Sequence, residues 1–193
     1  MEILAKSSPK HALTILALIS TFALSRATGS GSEASKLFIE ESCNTTTYPS
    51  LCLETLAPYA AVATSRLSLC DAALAVAIQA AGNCSAAASS GRKRFEEAAE
   101  AEVVKDCAGD LKEAVYELKE TAAAMAHLGG SDREFQWSNA KTYASAAITE
   151  AETCVDGMAE QKVSAAVRKK MKKCVDHVEK LISISLALIN HLY

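Results

Sequence analysis

Ala122-Ala-Ala-Met-Ala-His-Leu-Gly129-Gly130-Ser131-Asp132 is the stretch on which the fold turns. Two adjacent glycines stop one helical pattern, and Ser131 or Asp132 can cap the next. Upstream, Leu111, Val115, Leu118, Ala122 and Met125 recur at steps of four and three, with Glu and Lys on the opposite face. Downstream, Ala140, Tyr143, Ala144, Ala147, Ile148, Ala151 and Val155 form a second inner stripe. A connection this short makes the two helices antiparallel neighbours. Their expected spans are 95–128 and 132–157, with Gly157 breaking the second.

The same periodicity extends outward in both directions. Residues 64–88 carry Leu67, Leu74, Ile78 and Ala81 among many alanines, with a weak point at Gly82-Asn83. Ser89-Ser90-Gly91 ends that helix, and Arg92-Lys93-Arg94 marks an exposed turn. Residues 161–191 place Val163, Val167, Met171, Cys174, Val178, Leu181 and Leu188 inward. The expected fold is all-α: an up-down-up-down antiparallel four-helix bundle over 64–193, preceded by an N-terminal helical hairpin over 28–58. No strand pattern and no repeat of fixed period is present in the sequence.

Composition agrees. Half of the 193 residues are apolar, yet only 5% are aromatic, a balance that favours closely packed helices. Residues 1–27 read as a secretory signal: Lys6, Lys10 and His11, an apolar run over 12–24, then Ser25-Arg26-Ala27. Thr28 to Glu33, rich in Gly and Ser, reads as disordered, and 28–193 is the expected mature domain. Without the signal, 17 Lys and Arg oppose 22 Asp and Glu, a net −5 that argues against nucleic-acid binding. No stretch after the signal is expected to be long and apolar enough to span a membrane.

Secretion permits disulfides, and the chain has seven cysteines, so at least one thiol is left over. Cys43-Asn-Thr-Thr-Thr-Tyr-Pro-Ser-Leu-Cys52 is a polar loop with a cysteine at each end, which a turn can bring to the ~5.5 Å between Cα atoms that a bridge needs. Cys107 lies 22 residues before Gly129 and Cys154 lies 24 after Gly130, so the two stand at the same height on neighbouring helices and can bridge. Cys70 and Cys84 are ~21 Å apart on a straight helix and read as buried thiols, a bridge between them needing a fold-back at Gly82-Asn83. Cys174, on an inner stripe, reads as another buried thiol. Two disulfides are expected. Asn44-Thr45-Thr46 and Asn83-Cys84-Ser85 are N-glycan acceptor sequons.

A search for chemistry finds little. No Ser sits in a Gly-flanked elbow, and no glycine-rich phosphate loop occurs. Cys107 has no His nearby in sequence to act as its base. Cys174 and His177 could share a metal, but two ligands without others make no site. Neither a metal, a cofactor nor a catalytic residue is expected. Arg168-Lys169-Lys170 with Lys172-Lys173 is the largest patch of one charge. It reads as a solvated helix face, or as a contact for an acidic surface such as wall pectin or an acidic partner.

The mature chain resembles the plant invertase and pectin methylesterase inhibitor family. The resemblance is carried by the Thr46-Thr-Tyr-Pro-Ser-Leu-Cys52 loop, by Asp106-Cys107 with Ala114 and Leu118, and by Trp137-Ser138 through Tyr143-Ala-Ser-Ala-Ala-Ile-Thr-Glu-Ala-Glu-Thr-Cys154-Val-Asp-Gly157. The terminal Leu181-Ile-Ser-Ile-Ser-Leu-Ala-Leu-Ile-Asn is similar to the family's last helix. The resemblance implies bridges Cys43–Cys52 and Cys107–Cys154. It also implies a secreted, apoplastic inhibitor that binds a carbohydrate-active enzyme one to one and covers its cleft. Thr153, Thr149 and Ser145 are the implied partner-facing residues. Leu111 and Gly109 depart from the family, which often has Tyr and an acidic residue at those positions.

The Pro-Lys-Phe element of some invertase inhibitors is missing from this sequence, and Tyr143-Ala-Ser-Ala-Ala looks more like the pectin methylesterase branch. The expected partner is therefore pectin methylesterase. Invertase is the alternative, and a non-inhibitory structural or pectin-binding wall protein is the third reading. A chain that stops after the bundle reads as an inhibitor alone, not as the pro-region of an esterase.

Overall fold

The structure is a computed structural model, and it describes residues 33–91, 98–161 and 163–193. The expected signal peptide, residues 28–32 of the segment expected to be disordered and the basic turn at 92–94 lie outside those residues, while Glu33, expected at the end of that segment, is already helical. A short helix over 33–43, α1, delivers Cys43 to a turn. Helix α2, Pro49–Leu56, starts with Pro at its first position, where the missing N–H costs nothing. Pro58 then tightens the chain into a 3₁₀ turn, Ala57–Tyr59. Four long helices follow: α3 Arg66–Gly91, α4 Ala98–Ala126, α5 Arg133–Glu160 and α6 Ala165–Asn190.

Each long helix packs against two others, in the ring α3–α4–α5–α6 and back to α3. This is the expected up-down-up-down bundle, and no strand occurs among the described residues. The core is layered by size. Helix α5 contributes small residues, with Ala140, Ala144, Ala147 and Ala151 wholly buried. Large side chains come from the facing helices: Leu111, Leu118 and Met125 on α4, Ile182, Ile184 and Ile189 on α6. Alanine against Leu and Ile lets helix axes approach closely while filling volume.

The hairpin of α1 and α2 rests on α3 and α6, with Ile39, Cys43, Cys52 and Leu56 buried in the shared core. Cys43 and Cys52 are bridged, their Cα atoms 5.5 Å apart. Thr46 is buried inside the loop, its hydroxyl donating to the Cys43 carbonyl at 2.8 Å.

Several expectations are corrected. The chain carries three bridges rather than two. Besides Cys43–Cys52 and Cys107–Cys154, Cys84 on α3 is joined to Cys174 on α6, Cα atoms 5.9 Å apart. The ring order makes the first and last long helices neighbours, a relation that no single turn encodes. Only Cys70 is free; it is buried, and burial pushes its thiol up to about 12.

Neither internal glycine interrupts its helix. Helix α3 continues through Gly82 and α5 runs through Gly157 to Glu160, with Met158 buried beyond it. A helical Gly costs about 1 kcal/mol, less than the burial of the turns beyond it.

Leu67 is 40% exposed rather than inward. The buried face of α3 is centred on Ala73, Ala77, Ala81 and Cys84, and Leu67 and Ile78 fall at its edge.

Helix α3 is also long and apolar enough, by length and composition, to cross a membrane. Its apolar face is occupied within the bundle by α4 and α6.

The N-terminus of α5 begins at Asp132 without a side-chain cap, because Asp132 Oδ2 instead accepts from Gln136 Nε2 at 2.7 Å. Helix α6 is capped from outside: Glu100 on α4 accepts from the Ser164 N–H at 2.7 Å, and the Ser164 hydroxyl first and this N–H second lower its pKa. The C-terminal end is tied down by Trp137, whose Nε1 donates to the Ile189 carbonyl at 2.8 Å and whose ring meets Tyr193 edge-on.

Candidate functional site

Two surfaces stand out once the core is assigned, one on α5 and one on α6. The buried alanines of α5 leave its other face outward, and the residues there are small and hydroxylated. Ser138, Thr142, Ser145, Thr149 and Thr153 recur at helical steps and are all exposed. The structure brings the three predicted interface residues, Ser145, Thr149 and Thr153, onto one line along the centre of this face.

Each hydroxyl donates to the carbonyl one turn back: Ser145 to Lys141 at 2.8 Å, Thr149 to Ser145 at 3.5 Å, Thr153 to Thr149 at 2.9 Å. The donors are thus folded against the helix while oxygen lone pairs and methyls face outward. The result is a smooth, low-entropy surface suited to close approach by another backbone. Ordering Ser or Thr at an interface loses less rotamer freedom than ordering Lys or Glu.

Beneath the stripe the helix is held rigid. Cys154, next to Thr153, is bridged to Cys107 on α4 with Cα atoms 4.2 Å apart. At the other end Lys141 Nζ lies 3.7 Å from the centre of the Trp137 ring, a cation–π contact that fixes the first turns.

Carboxylates border both edges. On the α4 side, Glu117 and Asp110 are raised in pKa, first by desolvation and then by Glu150 on α5. Glu117 Oε2 is shielded and has no hydrogen-bond partner. On the α6 side, Glu179 is raised by desolvation and by Asp176, Glu152 and Asp156, with Lys172 opposing.

The departures Gly109 and Leu111 fall on different sides of α4. Leu111 is wholly buried, so its identity belongs to the core. Gly109 is exposed, and a Cβ there would meet nothing within 4 Å.

On α6 the predicted basic cluster is exposed, and the fold places it beside the Cys43–Cys52 loop. Lys169, Lys172, Lys173 and Lys180 line a groove whose other wall includes Tyr48 and Pro49. Sequence reasoning noticed the charges but missed the aromatic wall, because Tyr48 lies more than a hundred residues away.

Cys174, the other half of the metal pair considered with His177, is consumed by its bridge to Cys84. Among the described residues no group of three or more potential metal ligands forms. Both sequon asparagines, Asn44 and Asn83, are exposed, while Thr46 and Ser85 are buried and bonded to the Cys43 and Ala108 carbonyls.

The sequence and the fold match known proteins. The family model described as plant invertase/pectin methylesterase inhibitor covers residues 37–188. Pectinesterase inhibitor 9 of Arabidopsis thaliana is 33% identical over 186 residues, spanning 92% of this chain and 91% of its own. Pectinesterase inhibitor 3 of the same plant is 33% identical over 165 residues, spanning 80% and 78%. A crystal structure of a pectin methylesterase inhibitor from Arabidopsis thaliana shares the fold, with a TM-score of 0.55 at 20% identity over 80% of this chain and 95% of that one. By its sequence and its bundle, this chain belongs to the plant invertase/pectin methylesterase inhibitor family.

Proposed function

We propose that this protein is a secreted inhibitor of pectin methylesterase and that it binds the enzyme one to one through the outer face of α5. The observation that carries the reading is 33% identity with pectinesterase inhibitor 9 of Arabidopsis thaliana over 92% of this chain and 91% of that one. The geometry supports it: a rigid helix, stapled beside Thr153 and pinned at Trp137, presents Ser145, Thr149 and Thr153 without protruding side chains. Such a ridge fits a cleft built for an extended polysaccharide. The protein acts by occupancy rather than by chemistry of its own. Residues 1–27 direct it to the cell wall, and Asn44 and Asn83 are the glycan acceptors.

Titration of the purified mature protein against a pectin methylesterase and an acid invertase tests the proposal. Loss of de-esterification with invertase untouched supports it. Inhibition of invertase alone, or of neither enzyme, overturns it.

A further inference from the structure

We propose that the groove between the Cys43–Cys52 loop and α6 is a binding site for an anionic polysaccharide, a run of uronate sugars with free carboxylates. The groove has a volume of about 780 Å³ and is lined by Lys169, Lys172, Lys173 and Lys180 on one wall and by Tyr48 and Pro49 on the other. These lysines share one face of α6 and span ~16 Å along its axis. Asp176 is the one carboxylate in the lining, and it pairs with Lys172 at 3.3 Å. Among the described residues no carboxylate lies within ion-pair distance of Lys169, Lys173 or Lys180. Lys180 Nζ is instead drawn toward the Tyr48 ring, 5.7 Å from its centre. A line of unneutralised cations persists on a chain whose net charge is −3.

Three features favour a polyuronate over other anions. The charge is arranged in a line, which suits a repeating linear ligand rather than a single phosphate. Apart from His177, every basic side chain in the groove is Lys. Lysine meets an anion as a mobile point charge, whereas a phosphate site that needs bidentate geometry favours Arg. The opposite wall is Tyr48 and Pro49, half-buried and exposed, an apolar platform for the C–H faces of a sugar ring that an acidic peptide does not require. Lys173 and His177 also border a second groove of about 530 Å³ between α3 and α6. The choice of uronate rests in part on the pectin methylesterase reading, since that enzyme leaves free carboxylates on its polysaccharide. The site itself lies on a different helix from the proposed inhibitory face.

The binding test itself needs no enzyme. Calorimetric titration uses de-esterified oligogalacturonide, its fully methyl-esterified counterpart and poly-L-glutamate, at low and at physiological salt. The expected result is salt-sensitive binding of the de-esterified oligomer, weakened roughly tenfold by methyl esterification because the charges are gone. Lys169→Gln/Lys173→Gln weakens it by a similar factor. Tyr48→Ala weakens oligogalacturonide binding, and Lys180→Gln reports on the same groove should Tyr48→Ala disturb α2. Equal affinity for both oligomers, no effect of the lysine changes, or equally tight binding of poly-L-glutamate overturns the proposal. A parallel inhibition assay of the lysine variants against pectin methylesterase keeps the two readings apart. Retained inhibition with lost oligogalacturonide binding is the expected pattern, and loss of inhibition together with binding overturns the separation of the two faces.

Discussion

At the residue scale, Gly109 and Glu117 on α4 are each improved by substitution, for different physical reasons. Gly109 is exposed in the helix interior with open space where a Cβ would go. Gly109→Ala therefore raises stability by about 0.5–1 kcal/mol through reduced freedom of the unfolded chain, read as a higher urea midpoint at unchanged slope. Glu117 faces Glu150 on α5 and has Glu113 and Glu120 at helical spacing on its own element. Glu117→Gln raises stability at neutral pH by roughly 0.5 kcal/mol, the scale of two like-charge pairs on a helix surface. A lower midpoint for either variant contradicts the environment described. Thr153 is a third case. Thr153→Lys puts a long charged chain on the smooth stripe, and under the proposed inhibitory role of that face it is expected to weaken inhibition of pectin methylesterase at least tenfold, as at a central interface position. Far-ultraviolet circular dichroism stays unchanged, and full inhibition by the variant removes Thr153 from the interface.

At the scale of elements, the bridges clamp different pairs of helices. Cys107–Cys154 joins α4 to α5 across a separation of 47 residues, and Cys84–Cys174 joins α3 to α6 across 90. In the chain-entropy picture they contribute about 4.0 and 4.6 kcal/mol. Cys84→Ser/Cys174→Ser is expected to lower the thermal midpoint by roughly 10 °C or more while leaving the α5 face, and so the proposed inhibition, intact. The first bridge was legible in the sequence because Gly129-Gly130 gives both cysteines a common height reference. The second was not, because α3 and α6 meet only once the ring closes, and no turn between them fixes their relative height. Helix periods were readable where large apolar residues mark the stripe, as on α4 and α6. On α3 the core face is alanine, which flanks both sides of the helix, so Leu67 misled.

At the scale of the whole molecule, charge is sorted by face. Carboxylates crowd the edges of α5, and lysines line the outer side of α6. Asp110, Glu117 and Glu179 have raised pKa values, so the folded state holds their protons more tightly than the unfolded chain. Stability from these groups falls as pH rises through the interval between the ordinary and raised values. Glu100 and Asp132 are lowered by hydrogen bonds, and their contribution is lost as pH falls through the lowered values. The thermal midpoint is expected to rise as pH falls from neutrality toward the ordinary carboxylate range and to decline again once pH falls below that range. Glu117→Gln flattens the rise, and a midpoint that falls steadily from neutrality contradicts it. A thiol titration checks the connectivity. The unreduced protein gives one reactive thiol, Cys70, when denatured and none when native, since that side chain is buried.

The sequence by itself determined the helices, their antiparallel order, the hairpin and the two local bridges. Each follows from apolar periodicity, a turn or a short loop, all encoded within a few dozen residues. The hydroxyl stripe of α5 was legible through resemblance, because its residues recur within one helix. Only the tertiary structure decided that Cys84 meets Cys174, that Leu67 faces outward, and that Tyr48 stands opposite the lysines of α6. Those facts depend on which helices become neighbours and how they rotate about their axes. Close packing of the whole core sets that rotation, and no local pattern carries it.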